Sequence, residues 1–347
     1  MKKIKIFLIL ALAAAAIFLP SASAFGTVAE ALALAEKVKD YTSLAEFSAS
    51  EDFSFLYFGD VQFTDDMNSE YADFGKMLSG AYRQNPQIAF AVSCGDMVNS
   101  GQSSGQWTAF LQNTLDVLAE VPFFAAAGNH ESNFSSGKPE LMLQLFDFPQ
   151  NGPEGFKEEF YSFEYGNCHI TVLNSCVFMG EQKMKEKDFS DIKSWLANDL
   201  NSAKADFKIV VFHHPPHGVV NDKTGALVLE NWCPIFEQYG VDLVLSGHQH
   251  SYMRTPDING VTYLIGNGGK KEYHAVNTEN AAVSIENVSC YQIIKVSKDT
   301  LALNTYDENH QPLDSWQKQI EKPQPTKKGQ EVRTFLTVFA KVMRNVS

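Results

Sequence analysis

Apolar runs that read as buried strands recur along this chain, and between them stand stretches whose apolar residues return at helical spacing. Phe53 to Phe58, Ile88 to Cys94, Val121 to Ala127, Phe207 to Phe212 and Val241 to Leu245 are short, largely unbroken by charge and closed by turn residues, the pattern of strands covered on both faces. Asn68 to Arg83, Gln106 to Glu120 and Asp188 to Lys204 have helical spacing, and Pro86 and Pro122 fall where helices should have ended. Val28 to Tyr41 reads as an amphipathic helix ahead of the first strand. Such alternation predicts α/β layers. A hairpin is expected from Phe160 to Tyr165 and His169 to Leu173, turned at Gly166-Asn167. Val261 to Ile265, Ser289 to Val296 and Leu301 to Tyr306 read as the second half of a sheet sandwich.

The two ends of the chain depart from this pattern. Lys2, Lys3 and Lys5 precede an apolar core from Ile6 to Leu19 that is short for a membrane span, and Ala22-Ser23-Ala24 has the form of a cleavage site. Residues 1–24 are therefore expected to be a signal peptide, with an uncleaved membrane anchor as the alternative, and the protein to be exported, either periplasmic or secreted. A single domain is expected over residues 25–320, about the upper size for one core. From Glu321 to Gln330 the composition shifts to Pro, Lys and Gln, as in an exposed linker. Beyond it Val332, Phe335, Leu336, Phe339, Val342, Met343 and Val346 recur at helical spacing with Arg333, Lys341 and Arg344 off that face. Residues 321–347 are thus read as a linker and an amphipathic helix that either docks on the domain or touches a membrane surface or partner.

Charge and cysteine usage narrow the classes. The formal net charge is −13, and loss of three lysines and no acid with residues 1–24 takes it to −16. A surface so acidic argues against nucleic acid as a partner, and an anionic substrate would need a local positive centre, which metal ions supply. Cys94, Cys168, Cys176, Cys233 and Cys290 are sparse, odd in number and free of any C-x-x-C pair, so neither a disulfide scaffold nor a zinc ribbon is indicated. Cys94, in a core strand, is read as packing.

The ends of the strands carry the chemistry. Five apolar runs stop in Gly59-Asp60-Val61-Gln62, Gly95-Asp96, Gly128-Asn129-His130-Glu131, His213-His214-Pro215-Pro216-His217 and Gly247-His248-Gln249-His250. One Gly-Asp pair after a strand means little, since turns use both residues everywhere. Five strand ends that each deliver Asp, Asn or His make chance a poor explanation. His248 and His250, two apart, are expected to face one crevice if that segment is extended, with Gly247 turning the chain and leaving room for what they hold. Asp60, Asp96, Asn129, His213, His248 and His250 together offer three oxygen and three nitrogen donors, a set suited to two metal ions that clamp a phosphoryl group and acidify water.

In this order and spacing, the five blocks resemble the signature of calcineurin-like metallophosphoesterases. Gly247 to Thr255 is similar to the last block of purple acid phosphatases and their bacterial relatives. The resemblance implies a four-layer αββα sandwich of two mixed β-sheets flanked by helices. It also implies two divalent or trivalent ions (Fe, Mn, Zn or Ca) and a phosphate-ester small-molecule substrate. Asp96 would bridge the metals, with Asp60 and His250 on one side and Asn129, His213 and His248 on the other. His130 would stabilise the phosphoryl oxygens or protonate the leaving group while a metal-bound hydroxide attacks phosphorus directly. His213 rather than His214 takes the ligand role, as the first residue after its strand.

Two positions depart from the resemblance. Gln62 stands where the first block commonly carries His, a poorer donor at one metal. Asn99 stands where purple acid phosphatases place the tyrosine whose metal complex colours them, so a colourless protein is expected. His217 and His274 either line the substrate pocket or lie in surface loops, and Arg254 either meets the phosphate or pairs structurally. His169 is read as packed or solvated, and Glu131 as supporting His130 or capping a helix. Phosphomonoester hydrolysis is the leading reading. A phosphodiesterase or nucleotide pyrophosphatase on the same core, and a degenerate domain acting as a binding module, are the alternatives.

Overall fold

The computed structural model describes residues 26–46, 52–133, 138–179 and 185–320, so the expected signal peptide and the C-terminal linker and helix lie outside the described residues. In chain order come α1 (Val28–Ala35), β1 (Phe53–Phe58), α2 (Met67–Gln84), β2 (Ile88–Ser93), α3 (Ser104–Leu118) and β3 (Phe123–Ala125). There follow α4 (Met142–Leu145), β4 (Tyr161–Tyr165), β5 (Cys168–Val172), α5 (Glu186–Ser202), β6 (Phe207–Val211), α6 (Lys223–Asn231), α7 (Cys233–Tyr239) and β7 (Leu243–Ser246). The chain closes with β8 (Tyr252–Arg254), β9 (Thr262–Ile265), β10 (Val283–Ile285), β11 (Cys290–Val296), β12 (Thr300–Asp307) and β13 (Pro312–Gln319).

Two mixed sheets result, as expected. One has the order β13-β12-β11-β1-β2-β3 and the other β10-β8-β9-β7-β6-β5-β4. In the first sheet the parallel strands β1, β2 and β3 run to one edge and antiparallel strands extend the other, whereas in the second the parallel strands sit inside and antiparallel strands extend both edges. Alternation along single strands separates the layers. Ile209, Val211, Leu243 and Leu245 face the core shared with the other sheet, whereas Val210, Phe212 and Val244 pack under α5 and α7 with Leu196, Leu200 and Phe236. On the first sheet Phe58 meets Phe74 of α2, while Phe53 meets Tyr165 of the opposite sheet. The two sheets touch through aromatic rings, with Phe124 stacked on Phe163 at 3.8 Å between centroids.

Several boundaries move for physical reasons. Thr27 and Glu30 form a capping box on α1, which stops at Ala35 rather than Tyr41. Its continuation is claimed by tertiary bonds: Lys39 donates to the carbonyl of Leu118 and accepts from the amide of Phe123. The third strand spans only Phe123–Ala125, because the residues after it leave the sheet to build a loop. Strands β8, β10 and β13 and helices α6 and α7 were not expected. Two of those strands have three residues each, and β13 opens on Pro at a polar, half-exposed edge where apolar alternation is weak. All five cysteines are buried free thiols.

Strand β13 also ties the sheets together. Asp314 accepts from Arg254 Nε and Nη2 at 2.6 and 3.0 Å and from the Tyr252 hydroxyl at 2.7 Å, linking β13 to β8 of the other sheet. Arg254 thus pairs structurally. Burial alone would raise the Asp314 carboxyl, but the hydrogen bonds from Arg254 and Tyr252 and the charge of Arg254 together outweigh it and the net shift is downward. A carboxyl with a lowered folded-state pKa stabilises at neutral pH and loses that contribution as pH falls through the lowered value. Asp314→Asn is therefore expected to cost about 2 kcal/mol at pH 7. Thermal melts should show its gap from the wild type narrowing progressively below pH 4; a gap independent of pH would remove the charge from this account.

Candidate metal centre

Beyond the carboxyl ends of β1, β2, β3, β6 and β7 the chain turns sharply, and four of the predicted ligand residues occupy the left-handed region: Asp60 (φ 53°), Asp96 (φ 54°), His248 (φ 69°) and His250 (φ 46°). Residues with a Cβ avoid this region, so surrounding contacts must hold it. Glu131 does so for Asp96. Its buried carboxylate accepts from the amides of Asp96 (2.7 Å), Met97 (2.9 Å), Val98 (3.3 Å) and Gly128 (2.9 Å), joining the second and third loops. Glu131 was expected to support His130 or cap a helix; its carboxylate instead binds loop amides. The Asp60 carboxylate accepts from the amide of His248 at 2.8 Å, joining the first and last loops. A Cβ on Gly247 would stand 1.8 Å from Asp60 Oδ2 and one on Gly128 2.1 Å from Asp96 Oδ1, so these glycines make room for carboxylates. For Gly247 the expected occupant was whatever the histidines hold.

The side chains converge. Ligand atoms of Asp60, Asp96 and His250 lie within 4.8 Å of one another, with all three residues buried. Asp96 Oδ2 is 3.1 Å from His213 Nε2 and accepts from Gln62 Nε2 at 3.2 Å. Asn129 Oδ1 faces both His213 Nε2 at 3.1 Å and His248 Nδ1 at 2.9 Å. Gln62 Nε2 is also 3.4 Å from His250 Nε2, and His130 Nε2 is 3.9 Å from Asp96 Oδ2. All eight predicted residues therefore meet in one place, with Asp96 central. His248 and His250 do so from a tight turn and not from an extended segment, which corrects that geometric expectation: their left-handed backbone, rather than strand pleat, sets their directions.

Residues 53–252 match the family described as calcineurin-like phosphoesterase, more than half of the chain. The chain belongs to the calcineurin-like phosphoesterase family. It is 28% identical over 176 residues to the purple acid phosphatase of Glycine max and 24% identical over 164 residues to human tartrate-resistant acid phosphatase type 5. These stretches are 47% and 44% of this chain but only 36% and 50% of those proteins, so the chain spans half or less of the two relatives' length. The structure of the purple acid phosphatase PPD1 from yellow lupin seeds aligns with a TM-score of 0.59 at 18% identity, over 77% of this chain and 53% of that one. The fold is that of the metallophosphoesterases, and the likeness falls on the purple acid phosphatase-like branch.

Members of this family use divalent metals, and the electrostatics here fit cations. Burial pushes the Asp60 carboxyl up to about 7, while His213 pulls it down and Asp96 raises it further. Burial alone would raise Asp96 too, but His213 outweighs it and holds Asp96 low. Burial would lower His213, yet Asp96 leaves it well above its ordinary value. Burial lowers His248 to about 4, with His213 adding to the effect, and His250 to about 3, where the charge of Lys271 is the next cause. Neutral imidazoles with available lone pairs are what a metal needs. Gln62 Oε1 and His250 Nδ1 are buried with no hydrogen-bond partner. A half-turn of the Gln62 carboxamide would present Oε1 where its Nε2 now faces Asp96 and His250, as a donor to a cation.

The remaining candidates separate. His214 packs 4.3 Å from the His248 ring with Nδ1 2.8 Å from Ser175 Oγ, and it offers a ligand atom within 4.8 Å of one on His213 and one on His248, so it too could reach a cation on that side. His217 packs against Tyr263, and His274, 83% exposed, pairs with Glu286. His169 is packed and lies 2.9 Å from Asp199. Burial, foremost, pushes the Cys94 thiol up to about 11, keeping it a packing group although its sulfur lies 3.8 Å from Asp60. Tyr273, packed on His250, and Lys271, over the Tyr273 ring, were not among the expected residues, since nothing in their spacing marks them.

Two outcomes follow from these contacts. Glu131→Gln would place a carboxamide NH₂ among four amide donors, and it is expected to lower stability by about 3 kcal/mol by thermal or urea melts and to reduce metal content; wild-type stability would show that Glu131 does not fix the loops. Asn99 Nδ2 donates to the carbonyl of Phe63 at 2.6 Å, so ferric-loaded protein should lack the intense visible band of a tyrosinate complex.

Proposed function

We propose that this protein is an exported phosphoesterase that hydrolyses phosphomonoesters at two metal ions by direct attack of water, without a phosphoenzyme. The observation that carries the reading is the adjacency of two donor groups, Asp60, Asp96 and His250 on one side and Asn129, His213 and His248 on the other, meeting at Asp96. Asp96 is assigned as the bridge, Gln62 as a weak donor beside Asp60 and His250. When bound, cations at these positions neutralise phosphoryl charge and acidify water.

His130 is assigned to the transferring group. Its amide donates to Asp96 Oδ1 at 2.9 Å, and its Nδ1, 2.7 Å from the carbonyl of Asn99, must carry a proton to bond there. Nε2 is then the atom left to act, and with a second proton on it, in the imidazolium form, it would stabilise a phosphoryl oxygen or pass that proton to the leaving oxygen. The monoester assignment draws on the names of the relatives, and export on the charged, apolar and small-residue sequence of Met1 to Ala24. The catalytic domain is assigned to residues 25–320, past the family match, because β11 pairs with β1 at the middle of the first sheet. A small phosphate ester, and no nucleic acid, is the substrate class assigned. Contact of residues 331–347 with a membrane surface or partner belongs to the same proposal.

The reading is tested with p-nitrophenyl phosphate and its bis-ester, before and after chelation and with Mn, Zn, Fe or Ca restored. Monoester turnover that chelation abolishes and metal restores is expected. Faster turnover of the bis-ester would make the protein a phosphodiesterase, and silence on both with every metal would leave a binding module. Asp96→Ala should remove more than one ion per chain by elemental analysis and lower turnover at least about a hundredfold, whereas Gln62→Ala should weaken one site. Wild-type metal and rate in Asp96→Ala would sink the bridging role.

A further inference from the structure

The strap after β9 brings a cation to the rim of the centre. It is fastened to the ligand loops themselves: the amide of Gly268 donates to the carbonyl of Gly59 at 2.8 Å, that of Gly269 to Asp60 at 2.9 Å and that of Tyr273 to His250 at 3.2 Å. Buried Asn267 fixes its curvature by donating from Nδ2 to the carbonyls of Gly269, Lys271 and Val288. The ring of Tyr273 packs 4.7 Å from the His250 imidazole, and Lys271 Nζ stands 5.5 Å from the centre of that same ring. Neighbouring Lys270 is taken by Glu308, while Lys271 has no carboxylate partner among the described residues. Its charge is nevertheless felt inside, where it contributes to depressing both His250 and His248. Lys271 is a partly buried residue whose ammonium rests over the Tyr273 ring, a weak contact that leaves its charge available to a ligand.

We infer that Lys271, held by Tyr273, is a specificity-determining residue that binds an anionic group of the substrate other than the phosphoryl group being transferred. This deepens the phosphoesterase reading and rests on it. An aromatic ring adjoins both the ammonium and His250, so the ammonium stands outside the ligand cluster where the transferred group is held. A carboxylate or second phosphoryl group a few bonds away on the leaving group comes within reach. The chain's formal net charge of −13 repels such a polyanionic substrate, and a local ammonium offsets that repulsion where it matters.

The test is calorimetric binding of methylphosphonate, phosphonoacetate and methylenediphosphonate to the metal-loaded full chain, with metal content checked after each titration. The wild type is expected to bind at least one dianionic-headed probe, phosphonoacetate for a carboxylate or methylenediphosphonate for a phosphoryl group, about tenfold tighter than methylphosphonate. Lys271→Gln should erase that preference and leave methylphosphonate affinity within about twofold, and Lys271→Arg should retain most of it. No preference in the wild type, or an equal loss for all three probes in Lys271→Gln, overturns the inference. Turnover of p-nitrophenyl phosphate and its bis-ester by the same preparations is scored separately: silence on both removes the phosphoesterase reading, while the binding ratios still decide the role of Lys271.

Discussion

The carboxylate of Glu131 accepts amide hydrogen bonds from two loops at once, and the candidate metal centre depends on that one junction. Three of the donors belong to the turn that holds Asp96 in left-handed backbone, and the fourth to the loop that carries Asn129 and His130. Buried beside Asp96, Glu131 has its carboxyl pushed up to about 7, burial being the largest cause and the charge of Asp96 the next. The four amides are what make an anion tolerable there.

Strain and charge are concentrated in the same few residues. Asp60, Asp96, His248 and His250 adopt backbone that side chains avoid, and each is buried or nearly so among groups of both signs. Packing supplies the restraint: parallel strands covered on both faces hold the loop roots, and aromatic stacking keeps the two sheets in contact. Cations bound among the donors would relieve the electrostatic part, leaving the protein to carry the conformational part.

Much of the frame could be read along the chain. Strand runs such as Phe53 to Phe58 and Ile88 to Ser93 are apolar but for Ser54 and Ser93 because both faces are covered, and α2 and α3 show helical spacing because one face is. The short strands β8 and β10 and the polar edge strand β13 gave no such signal, since three residues carry no period and an exposed edge needs no apolar face. The end of α1 also escaped, because Lys39 is bonded by Leu118 and Phe123 from far along the chain.

Residue types at the strand ends were legible along the chain: five Asp, Asn or His endings marked Asp60, Asp96, Asn129, His213, His248 and His250, and the family resemblance added Gln62 and His130. Chemistry of that kind is local: a donor atom is a property of its residue. What holds and surrounds those donors is set by the folded chain. Glu131 became a staple between loops and Arg254 a clasp to Asp314, each through partners dozens of residues away, while Lys271 became a charge at the rim through the Tyr273 ring that packs on His250. Direction and distance in three dimensions set those roles, and no spacing along a chain encodes them.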